Sequence, residues 1–218
     1  MNLFCDDRDL LALEEVLFLG QANTTAGLIG AGGGGTLGNG MFTATNCDFA
    51  AAGVQAGMVL TVYGSSPAEG LCYEILAVAP TQLQVSVLRA DVSADAIAPA
   101  NQSSVGFFVR TYRPQIRLAS DALAEKLRRL AEASGVRDQE FAPSAQLRQA
   151  AAVAALAAIF TARSDGSRGA EDIHWIKARH YREELSRLQP QLRLSADLDG
   201  DGIAEHTRSL GNVTLRRV

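Results

Sequence analysis

From Val16 to Arg113 only eight side chains carry a charge, in a chain of 218 residues of which 20% are charged. The runs inside this stretch are short and rich in β-branched and aromatic residues: MVLTVYG, CYEILAVA, QLQVSVLRA and VGFFVRTY. Gly, Pro, Ser and Asn separate them at the spacing of a small sheet or barrel. MFTAT, beginning at Met41, is a candidate earlier strand. In AAGVQAGMVLTV, Gly53 and Gly57 supply turn geometry ahead of a strand. The pattern predicts a β module over residues 19–113, within the usual size of a domain.

The same stretch holds a glycine cluster, with eight of the 20 glycines falling from Gly27 to Gly40. GAGGGG satisfies GxGxxG through Gly30, Gly32 and Gly35. A dinucleotide fingerprint also needs a helix opening at the third glycine and an acid about 20 residues further on. Here Gly38 and Gly40 follow at once and the downstream sequence reads as strand. Nucleotide binding is therefore unsupported. TTAGLIGAGGGGTLGNG has few groups able to offset the entropy of ordering it. It predicts a mobile loop over residues 27–40 that orders, if at all, against a neighbouring protein.

Helical texture flanks the β module. Asp6, Asp7 and Asp9 favour the N-terminal end of a short helix from Asp6 to Phe18, on which Leu10, Leu13, Val16 and Leu17 recur at helical spacing. After Pro114, the residues Ile116, Ser120, Leu123, Leu127, Leu130 and Ser134 trace one stripe, with Gly135 as a stop. A second long helix starts near Pro143 or Ser144 and runs to about Ala162. Its middle, QAAAVAALAAIF, is apolar nearly all round, as in the central helix of a bundle. The run is about half the roughly 20 residues needed to cross a bilayer. A third long helix spans Ala170 to Leu188, with Ile173, Ile176, Tyr181, Leu185 and Leu188 on a shared buried face and Pro190 ending it.

The tail alternates polar and apolar residues around an acidic turn and reads as a β-hairpin plus a terminal strand. The expected fold is α+β. One short N-terminal helix (residues 1–18) and three longer helices (114–189) form a helical bundle. A small β-sheet or barrel (19–113) is inserted in it, and a β-hairpin tail (190–218) follows.

Composition excludes several classes. Hydrophobic residues make up 47% and the net charge is -4, which fits a globular chain and not a disordered one. The three cysteines, Cys5, Cys47 and Cys72, form neither a disulfide framework nor a CxxC pair. The acidic first residues lack the positive charge of a signal peptide. Residues 1–113 hold 10 acids and 4 bases, and residues 114–218 hold 14 acids and 16 bases. Of the 20 bases, 18 are arginine, which suits ordered ion pairs and interfaces. No basic run is long enough for a nucleic-acid footprint.

The sharpest local motif is DLDGDGIAE. Asp197, Asp199 and Asp201 occupy positions one, three and five of a calcium loop, Gly202 the sixth, Ile203 offers a carbonyl, and Glu205 falls at the ninth. The twelfth position is Arg208, and strand-like flanks replace helices, so this is no EF-hand. It resembles DxDxDG calcium turns in β-hairpins. The alternative is a metal-free turn whose carboxylates cap backbone amides. Either way the role is structural.

His174, His180 and His206 form no HExxH arrangement, and no GxSxG elbow or SxxK sequence is present. No nucleophile, base and orienting acid come together, which speaks against an enzyme. Trp175, Tyr181, Arg179, Arg182 and Arg187 share the third long helix. They are either a core aromatic pair beside a solvated charged face or a subunit interface, where Trp, Tyr and Arg are enriched.

The order of elements, with AAGVQAGMVLTVYG, QLQVSVLRAD, TYRPQIRLASDAL and DLDGDGIAEHTRSL, resembles the head–tail connector (adaptor, or neck) proteins of tailed bacteriophages. The resemblance implies a non-enzymatic virion protein that forms a ring of subunits, commonly twelve, docked beneath the portal protein. Helical bundles would line a channel through which DNA passes without sequence-specific binding. The C-terminal segment would insert into the portal assembly, and the β insert would meet the next tail component. It implies no cofactor and no membrane. A calcium-dependent β-rich binding or adhesion module, based on the DxDxDG turn, is the alternative. An enzyme with an unrecognised site comes third.

Overall fold

A computed structural model describes residues 3–19, 27–66, 69–133, 144–164, 172–196 and 206–209, with backbone alone for 130–133, 193–196 and 206–209. The chain divides into two units, Asp6–Arg113 and Pro114–Val218 with Met1–Cys5.

The first unit is built on six antiparallel strands: β1 (Gly27–Gly38), β2 (Met41–Thr43), β3 (Val59–Tyr63), β4 (Leu71–Val78), β5 (Gln82–Ser86) and β6 (Gln102–Thr111). They close into a barrel in the order β1-β2-β5-β4-β3-β6, with β1 pairing back onto β6. The four apolar runs became β3 to β6, and MFTAT became β2. Their inward residues, among them Leu60, Ile75, Leu83, Val85 and Val109, form one buried core. Phe42, Phe49 and Phe107 meet at its centre with ring centroids 5.0 to 6.1 Å apart. Gly53 and Gly57 have φ of 84° and 83°, the left-handed turn geometry expected of them.

The glycine cluster is not a loop among the described residues. Its residues 27–38 form β1, the longest strand of the barrel. The reason is steric. A Cβ on Gly35 would lie 2.5 Å from the ring of Phe42, so only glycine lets this strand close over the aromatic centre. The entropy cost of ordering glycine is offset by the ladder to β6 and by burial of those rings. β1 is irregular, with register shifts against β6 between Leu28 and Gly30, Gly32 and Gly35, and Gly35 and Leu37.

The N-terminal helix, α1 (Asp7–Leu13), overturns the expected fold class: it belongs to the barrel unit and not to a helical bundle. The molecule is a closed six-stranded barrel with its own helix, followed by a helical unit, and not a bundle with an inserted sheet. Side-chain chemistry decides this. The buried carboxylate of Asp7 accepts from the Thr111 hydroxyl and the Tyr112 amide, both at 2.6 Å. Arg8 reaches Glu74 on β4 at 2.7 Å, and its amide donates to the Gly57 carbonyl. Asp6 and Asp9 close a capping box at the start of α1. The helix is short and passes into a 3-10 turn (Glu15–Leu17), so Leu10 and Leu17 are buried while Leu13 and Val16 face outward.

The second unit holds α2 (Arg113–Ala133, of which Arg113 itself belongs to the barrel unit), α3 (Ala145–Arg163), α4 (Ile173–Leu188) and a hairpin of β7 (Arg193–Ala196) and β8 (His206–Ser209). On α2, Ile116, Ser120, Leu123 and Leu127 are buried as the stripe predicts, and the Ser120 hydroxyl accepts from the Phe4 amide at 3.2 Å. Ser134 and Gly135 lie outside the described residues. Ser144 caps α3, which packs lengthwise on α4. α3 is apolar and long enough to cross a membrane, but Ala150, Ala151, Val153, Ala155, Leu156, Ile159 and Phe160 are buried within the fold. Its small alanines let α4 approach closely. Asp172 caps α4, and Pro190 lies in the 3-10 turn that follows it.

Candidate functional site

The two glycine-based and acid-based motifs have different fates. Gly30, Gly32 and Gly35 lie within a strand, and no helix N-terminus follows to hold a phosphate, so the nucleotide reading fails on geometry. Asp197, Asp199, Asp201, Ile203 and Glu205 lie outside the described residues. Their flanks are described: β7 and β8 pair antiparallel, with Ala196 opposite His206.

The histidines and cysteines do not converge. His174 is half-buried and stacks on Phe160 at 5.9 Å, whereas His180 is exposed, 3.7 Å from Glu184. Cys72 donates to or accepts from the Thr61 hydroxyl at 3.6 Å, and burial pushes its thiol up to about 12, far from nucleophilic readiness. Burial and the neighbouring Asp48 push the Cys47 thiol up as well. Among the described residues no three His, Cys, Asp or Glu side chains gather as metal ligands would.

The aromatic and arginine set of α4 divides. Tyr181 is buried and stacks on Phe160 at 5.8 Å, so it is core. Trp175 is 39% exposed, with the Arg182 guanidinium 5.4 Å above its ring. Arg182 also donates to the Thr161 hydroxyl at 2.7 Å, which holds the cation in place over the indole. Ile173 and Ile176, expected on the buried face, are 58% and 40% exposed instead. The inner face of α4 is supplied by Ala178 and Tyr181, the latter stacked on Phe160 of α3. Arg179 reaches Glu183 at 3.8 Å on the helix surface, and Arg187 sits in the last turn. The outcome is three exposed apolar side chains in the first turn of α4, Ile173, Trp175 and Ile176, with Arg182 over the indole of Trp175. That composition is typical of a protein interface.

Two buried polar groups in the barrel unit escaped the sequence reading. Glu74, 1% exposed, is ion-paired with Arg8 at 2.7 Å and accepts from Arg89 at 2.5 Å. Arg89 also donates to the carbonyls of Val92 and Ala94, so one carboxylate joins α1, β4 and the segment after β5. The signal was present: Glu74 is a lone acid in the apolar run CYEILAVA. Its partners lie too far away in sequence for any local pattern to show. Asp7 is the second. Burial pushes its carboxyl up to about 7, against the hydrogen bonds from Thr111 and Tyr112, which favour the charged form. Both groups hold elements together. No protein-family model, curated protein or solved structure matches the chain.

Proposed function

We propose that the chain is a structural virion protein, a head–tail connector of a tailed phage, which assembles with copies of itself into a ring between the portal and the tail. In this reading its partners are the portal protein and the tail or neck proteins, and DNA passes through the ring without base recognition. The ring commonly has twelve subunits in the family it resembles. The observation that carries the reading is the exposure of Ile173, Trp175 and Ile176 at the start of α4, with Arg182 over Trp175. Helices that pack side by side in a ring need such a face, and a helix of an isolated protein gains nothing from it. The motif strings resembling the connector family add to it.

The test is native mass spectrometry and electron microscopy of the chain alone and with a portal. Rings, or rings on portal contact, are expected. Monomers under both conditions would sink the reading. Trp175→Ala combined with Ile176→Asp should abolish ring formation while leaving the fold intact.

A further inference from the structure

Closure of the barrel is incomplete along β1. The strand pairs with β6 from Gly27 to Leu37, but with β2 only through Thr36, Leu37 and Gly38. Among the described residues, the β2-facing edge of residues 27–34 meets no other backbone, and its one polar contact is the Asn46 side chain reaching the Gly33 carbonyl at 3.5 Å. This edge carries no lysine, no proline and no charged side chain, the devices that usually guard a free edge, and its bulges alone do so. An unguarded row of amides and carbonyls is a template for one more strand.

We propose that this edge receives residues 210–218 of a second copy of the chain, which add to β1 as an extra strand in trans. Three observations select that occupant. Its sequence, LGNVTLRRV, alternates polar and apolar residues from Asn212 to Arg216 and follows directly on β8. Nine residues extend about 30 Å, enough to cover the eight residues of the edge. Arg216 and Arg217 give the segment positive charge and it has no acid, while the barrel unit carries 10 acids against 4 bases. One of those acids, Asp48, adjoins Cys47, whose sulfur lies 3.7 Å from where a Cβ on Gly30 would be. The main chain would supply the affinity and the two arginines the choice of partner. The inference goes beyond the connector reading, because it needs no portal and concerns how copies are linked.

Hydrogen exchange of the chain alone, at low and high protein concentration, tests it. The amides of residues 27–34 should exchange at least about tenfold more slowly at high concentration, in step with the appearance of oligomers. Deletion of residues 210–218, or Leu215→Pro, should remove that protection, and a synthetic peptide of residues 211–218 should restore it to the deleted chain. Gly33→Lys, at a position where a Cβ meets nothing within 4 Å, should weaken it by repelling the arginines without harming the barrel. Protection that survives the deletion overturns the proposal. Protection that is lost on deletion but is independent of concentration, in a chain that stays monomeric, overturns the exchange between copies. Failure here with intact rings on a portal leaves the connector reading standing; success here with no portal binding would remove that reading alone.

Discussion

The barrel unit and the helical unit spend their polar and apolar groups in opposite ways. In the barrel unit charge is scarce, yet Glu74, Arg8 and Asp7 are buried and, with the half-buried Arg89, paired across elements distant in sequence. In the helical unit charge is plentiful and mostly at the surface, in pairs one turn apart such as Arg129 with Glu125, while Ile173, Trp175 and Ile176 stand exposed. Exposed pairs of that kind contribute little to stability, whereas a buried ion cluster is costly to break. The difference teaches that the barrel is specified from within, whereas α4 leaves large apolar side chains at its surface.

This contrast can be broken or sharpened by mutation. The largest effect is expected in the barrel unit. Glu74→Ala leaves the buried Arg8 and the half-buried Arg89 without their carboxylate and should cost about 3–5 kcal/mol in a denaturant titration. A loss below about 1 kcal/mol would mean that the cluster is open to water. Phe107→Ala opens a cavity where three rings meet and should also cost about 3–5 kcal/mol, measured the same way.

Asp7 gives an intermediate effect with a definite sign. Its folded-state value of about 7 lies above the ordinary 3.8, so the folded chain binds a proton that the unfolded chain releases. Its contribution is therefore fully favourable below about pH 4 and is lost as pH rises through about 7. Stability should change by up to about 1.4 kcal/mol per pH unit within that window. Asp7→Asn should flatten the difference curve between pH 5 and pH 7.5 in thermal melts. A slope unchanged by the substitution would show that the carboxyl titrates normally.

The smallest change in stability is expected on the helical unit. Trp175→Ala should shift the unfolding free energy of the monomer by no more than about 1 kcal/mol, yet reduce self-association strongly in sedimentation. A large loss of stability with unchanged association would return Trp175 to the core. In the hairpin, Asp199→Ala should lower the melting temperature only when calcium is present if the turn holds the ion. An equal loss with chelator would favour the capped turn.

Much of this architecture was legible locally. β3 to β6 showed as β-branched and aromatic runs, the α2 stripe showed at helical spacing, and Ser144 and Pro190 lay at or near helix ends. Such features depend on neighbours within a few residues, and sequence records these directly. The interface candidate was half legible: the Trp and Arg set was visible, but which of Trp175 and Tyr181 faced outward was not. That depended on which face of α4 packs on Phe160 of α3.

The glycine cluster and α1 mark the boundary. Composition alone established a charge-poor β region, a following set of helices and a hairpin around an acidic turn. Only the tertiary structure decided that glycine residues 27–38 form a strand, because the need for a missing Cβ at Gly35 arises from Phe42, which reaches it across the barrel. It likewise decided that α1 belongs with the barrel, because Asp7 and Arg8 find their partners at Thr111, Tyr112 and Glu74. Local periodicity sets what each segment forms; burial of polar groups and close approach between distant residues set where it goes.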